Sequence, residues 1–106
     1  MADTRYHFYV TPTDMRKGYY SLYGIVQNQM YLNALSGDVF VFLNRRRTHI
    51  KLLVWDGNGL VLYCKRLERG TFSKPPFCSP SISTPLQEAD LERILGCFNL
   101  RNQKKE

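Results

Sequence analysis

Apolar positions along this chain change period several times, and each change marks an element. Tyr6 to Val10 is a short, aromatic, β-prone run that reads as a first strand. From Thr11 the spacing becomes helical. Thr11-Pro12-Thr13-Asp14 has the order of a helix start, with Thr11 as N-cap, Pro12 as first helical residue and Asp14 beside the free amides. Met15, Tyr19, Leu22, Val26 and Met30 follow at steps of three or four, which predicts a helix over residues 13–31. Gly18 and Gly24 inside it each cost about 1 kcal/mol relative to Ala, so at least one is expected to permit close packing on a sheet.

Ser36-Gly37-Asp38 is a turn signal, and Val39 to Leu43 is a strand apolar on both faces. Asn44-Arg45-Arg46-Arg47-Thr48 then reads as a hairpin tip leading into a strand over 50–55. Asp56-Gly57-Asn58-Gly59 is the strongest turn in the chain, and a strand over 60–67 returns from it. Symmetric closure sets Trp55 opposite Leu60, Leu53 opposite Leu62 and Lys51 opposite Cys64, so that Lys51 and Arg66 share a face and Lys65 takes the other. Residues 71–85, rich in proline, serine and threonine, read as a loop without regular structure. Thr84, Pro85 and Gln87 have capping-box spacing, which starts a final helix with Leu91, Ile94, Leu95 and Phe98 on one face. The expected fold is α+β, a mainly antiparallel sheet with two helices in the order β-α-β-β-β-α. Residues 1–100 form one domain and 101–106 a polar tail.

Composition adds a location for charge. The 106 residues carry 15 Lys and Arg against 9 Asp and Glu. Eight of these bases and two of the acids fall within residues 44–74, so that block holds the whole excess of +6 while the rest of the chain sums to zero. A positive surface concentrated in this way suits an anionic partner, although a merely soluble surface would also tolerate it. No apolar stretch approaches the roughly 20 residues of a membrane span, and the start lacks the apolar core of a secretory signal, so the expected location is the cytoplasm with no membrane partner. Cys64, Cys78 and Cys97 match no metal or redox spacing and read as reduced thiols filling the core.

Catalytic chemistry finds little support in the residues. Asp14, Asp38 and Asp56 each sit where a cap or turn explains an acid, and Glu68 amid Lys65, Arg66 and Arg69 reads as a local ion-pair partner. His7 and His49 are isolated, and Gly57-Asn58-Gly59 lacks the lysine and helix of a phosphate-binding loop. With no carboxylate pair at metal-ligand spacing, no enzyme activity, metal or cofactor is expected.

The ordered blocks Thr13-Asp14-Met15-Arg16-Lys17-Gly18, Ser36-Gly37-Asp38-Val39-Phe40-Val41-Phe42 with Arg45-Arg46, Ile50-Lys51 with Trp55-Asp56-Gly57-Asn58-Gly59-Leu60, and Lys65-Arg66-Leu67-Glu68-Arg69-Gly70 with Phe72 resemble one family closely. It is the small accessory protein, TnpB type, of the insertion-sequence-66 group of bacterial transposons. The resemblance implies a product that assists a separate, larger transposase. Leu91 to Gly96 looks like the family's final helix, whereas Cys97-Phe98-Asn99 departs from its more usual ending.

Two functional readings follow. In the first the chain is a non-catalytic, DNA-binding accessory, with Arg16, Lys17, Arg45, Arg46, Arg47, Lys51, Lys65, Arg66, Arg69 and Lys74 meeting phosphates of the transposon end. In the second it is an adaptor that binds the transposase, or a second copy of itself, through an apolar sheet face left bare if both helices pack on one side.

Overall fold

A computed structural model describes residues 4–73 and 82–95. Its elements are β1 (Tyr6–Tyr9), α1 (Tyr19–Asn28), β2 (Val39–Leu43), β3 (His49–Trp55), β4 (Leu60–Arg66), β5 (Ser83–Leu86) and α2 (Glu88–Leu95). The five strands make one sheet in the order β4-β3-β2-β1-β5. Among the described residues only β1 and β2 pair in parallel, and the segment carrying α1 supplies the crossover that a parallel pair needs; the remaining neighbours are antiparallel. The α+β class and element order are those expected, with one strand added before α2.

The two helices cover opposite faces. Leu22, Val26 and Met30 of the α1 region pack with Phe40, Phe42 and Leu53. Leu91 and Ile94 of α2 pack with Phe8, Val41, Ile50 and Leu86, joined by Phe72 from the turn after β4. This division explains why β2 is apolar at every position: its alternate side chains feed two separate cores.

The β3–β4 register is the expected one, with Trp55 opposite Leu60, Leu53 opposite Leu62 and Lys51 opposite Cys64. Gly57 supplies the positive φ, 110°, that the intervening turn requires, and the Asp56 amide donates to the Gly59 carbonyl.

Four local expectations are corrected. First, α1 begins at Tyr19 rather than at residue 13 and ends at Asn28. Thr11 to Lys17 is not helical, because its polar groups are satisfied elsewhere: the Thr13 amide donates to the Leu43 carbonyl, and the Lys51 ammonium holds the carbonyls of Met15 and Lys17. The helix ends where Tyr31 turns the chain out at φ 57°. Second, neither Gly18 nor Gly24 is demanded by sheet packing. A methyl group at Gly18 would meet nothing within 4 Å, and one at Gly24 only the Asn28 amide at 3.9 Å.

Third, Thr84 and Pro85 lie in β5, paired with Phe8 and His7 of β1, instead of starting a helix. The strand is at the sheet edge, where the N–H that proline lacks is not needed by a further neighbour. The helix starts one turn later, and its own reciprocal cap is Asp90, whose carboxylate accepts from the Gln87 amide at 3.1 Å. Fourth, Cys64 is an exposed free thiol and not core filler. Cys78, Cys97, Phe98, Lys74 and the tail from residue 101 lie outside the described residues.

Candidate functional site

Three segments meet at one end of the sheet: the β2–β3 tip, the turn after β4, and the stretch leading into α1. Asn44 builds the tip. Its side-chain carbonyl accepts from the amides of Thr48 and His49 at 2.8 and 3.1 Å, while its Nδ2 donates to Thr48 Oγ1 and His49 Nδ1. That pattern makes Nδ1 of His49 an acceptor.

Arg47 closes the loop in the left-handed region at φ 58°, which L-residues adopt at a cost of roughly 1–2 kcal/mol. Tertiary contacts hold it there. The Phe72 amide donates to the Arg47 carbonyl at 2.7 Å, the Arg47 guanidinium donates to the Phe72 carbonyl at 3.3 Å, and the Leu67 amide donates to Thr48. Phe72 itself is buried, so the turn carrying Arg69 is pinned beside the tip.

The expected basic residues therefore divide by what their charged groups touch. Arg45 and Arg46 are exposed at the tip and line a cleft of about 400 Å³ with Pro12, Asp14, Asn44 and His49. Arg66 is exposed and pairs in register with His49; it lines an adjoining cleft of about 210 Å³ with Met15, Lys51, Cys64 and Lys65. Lys17 and Arg69 are exposed on the neighbouring segments. By contrast Arg47 is committed to Phe72 and Lys51 to backbone carbonyls. Lys65, although it borders that cleft, is half-buried and pairs in register with Ile50 of the α2-side core.

Arg16 forms a paired contact with Asp14, Nη2 to Oδ2 at 2.6 Å and Nε to both oxygens at 3.1 Å. The guanidinium's hydrogen bonds hold the Asp14 carboxyl well below the ordinary carboxylate range and raise the pKa of Arg16 in turn. The acid on the wall of the larger cleft is thus already matched by a cation.

Other acids have different partners from those expected. Glu68 takes part in none of the ion pairs among the described residues, which join His7 to Asp38, Arg16 to Asp14 and Arg93 to Asp90. His7 meets Asp38 at 2.9 Å and stacks on Phe40 with ring centroids 5.3 Å apart, a contact across 31 residues that local spacing could not reveal. Among the described residues no three His, Cys, Asp or Glu side chains converge on a metal position, and no helix is long and apolar enough to cross a membrane.

Comparison with known proteins decides the family, because the description "IS66 Orf2 like protein" matches residues 4–105, nearly the whole chain. The chain belongs to the IS66 Orf2-like family. The family is the one its motifs resemble, that of accessory products of insertion-sequence transposition. Two similar proteins from Sinorhizobium fredii (strain NBRC 101917 / NGR234) have no described activity. "Uncharacterized protein y4hO" is 46% identical over 93 residues, covering 88% of this chain and 79% of that protein. "Uncharacterized protein y4jC" is 37% identical over 65 residues, covering 61% of this chain and 56% of that protein. No solved structure matches the chain.

Proposed function

We propose that this IS66 Orf2-like protein is a non-catalytic DNA-binding accessory that contacts transposon-end DNA with the basic end of its sheet. The observation that carries the reading is the grouping of Arg45, Arg46, Arg66, Lys17 and Arg69 on three segments that hydrogen bonds and the buried Phe72 hold together. Their guanidinium and ammonium groups suit phosphate oxygens, and the arginines add a planar donor fork. Arg47 and Lys51, whose charges are directed at backbone, serve by holding this surface in shape.

The adaptor reading takes as its premise helices packed on one side, and the helices lie on opposite faces. An exposed tyrosine on the sheet still speaks for it. Tyr63 of the edge strand β4 is 61% exposed. Equilibrium binding to a transposon-end duplex and a scrambled duplex separates the two readings: a DNA-binding accessory retains duplex at low salt, whereas an adaptor leaves both duplexes free and captures the transposase.

A further inference from the structure

We infer that Tyr20, with Tyr19 and Lys17, forms a stacking site for unpaired nucleotide bases. The inference rests on the DNA-binding reading and narrows its ligand to DNA with exposed base faces. Tyr20 is 86% exposed and Tyr19 47% exposed in the first turn of α1. A ring so open to water contributes little to the core, so folding gives no reason for it to be aromatic.

Charge identifies the occupant. Lys17 is exposed two residues before the tyrosines, and α1 itself, Tyr19–Asn28, contains no charged side chain to repel a polyanion. Lys51 fixes the position of the pair, since its bonds to the carbonyls of Met15 and Lys17 tie the entry of α1 to the sheet face that bears Cys64 and Arg66. Cations that track a backbone beside open aromatic faces are the working parts of single-strand binding, and stacking of this kind tolerates any base. In a duplex the bases are already stacked and present their faces only at the ends, so these rings add little there. A second copy of the chain fits less well, because joining two α1 starts would set the Lys17 and Arg66 of one copy against those of the other.

The test measures anisotropy of a labelled oligodeoxythymidine strand and of a labelled mixed-sequence duplex with the full chain and its Tyr20→Ala, Tyr20→Phe and Tyr31→Ala variants. Tyr31 is the control, 78% exposed beyond the opposite end of α1. Tyr20→Ala is expected to weaken single-strand binding about tenfold. Its duplex affinity and the slope of affinity against salt should stay unchanged. Tyr20→Phe should retain the wild-type affinity, and Tyr31→Ala should bind as the wild type does. Equal losses for strand and duplex, an unaffected Tyr20→Ala, or an equal loss in Tyr31→Ala would overturn the stacking site. Duplex binding without strand binding overturns this inference alone, whereas binding to neither removes the DNA reading with it. A Tyr20→Ala variant changed only in sedimentation mass would reassign the tyrosines to self-association.

Discussion

The ammonium of Lys51 donates to the carbonyl of Met15 at 2.8 Å, linking β3 to the chain that enters α1, and a second bond reaches Lys17 at 2.7 Å. A cation that sequence alone assigns to phosphate is thus used to anchor backbone. Lys51→Met should cost about 1.5–3 kcal/mol, the range for hydrogen bonds from a charged group. Urea unfolding measures that loss. Under conditions where the variant is folded, the salt slope of its DNA binding should equal that of the wild type if the Lys51 ammonium is spent on these two carbonyls, and a flatter slope would show that it also meets phosphate.

Arg47 gives a test of backbone conformation separate from charge. At φ 58° a β-branched residue is strained, so Arg47→Val should lose about 2 kcal/mol. Arg47→Gly should stay within about 1 kcal/mol of the wild type, since relief of the left-handed strain offsets the greater freedom of the unfolded chain. Comparable losses in both variants would place the importance of Arg47 in its guanidinium contact instead.

Phe72 joins the turn after β4 to the α2-side core while its backbone holds Arg47. Phe72→Ala should cost about 3–5 kcal/mol through the cavity it leaves. Phe72→Leu should cost visibly less by the same unfolding measurement. A loss under about 1 kcal/mol for the alanine variant would show that the turn is not seated on the core.

Asp14 provides a pH test with a defined sign. Its folded-state pKa is depressed by Arg16, so the pair's contribution is fully present above the unfolded carboxylate pKa of about 3.9 and fades as pH falls below it. The contribution is small because both groups face water. An NMR titration of carboxyl carbons should find Asp14 still ionised at pH values where a free aspartate is half protonated, and Arg16→Gln should move it up toward the ordinary range, with the bond from the residue-16 amide keeping part of the depression.

Where local chemistry acts alone, sequence and structure agree. The Asp56–Gly59 turn sets the β3–β4 register to the residue, and the apolar run 39–43 reads as a strand buried on both faces. The start of α1 differs from its sequence signal because Thr11-Pro12-Thr13-Asp14, a sound cap, is overruled by distant partners, Leu43 and Lys51. Strand β5 is invisible to local reading, since four residues including a proline carry no β pattern; pairing with β1 creates it. The charge map has the same limit. Arg45 and Arg46 are exposed as expected, but nothing local distinguishes them from Arg47, whose partner Phe72 lies 25 residues away.

The most direct measurement of the proposed function is the slope of log affinity against log salt for duplex DNA, compared between the wild type and an Arg45→Ala/Arg46→Ala double variant. If both arginines meet phosphates, the double variant should bind more weakly and its slope should flatten by about 1.8, close to 0.9 for each phosphate left without its arginine. A wild type that fails to bind at low salt, or a double variant with an unchanged slope, would contradict the assignment of the β2–β3 tip to DNA.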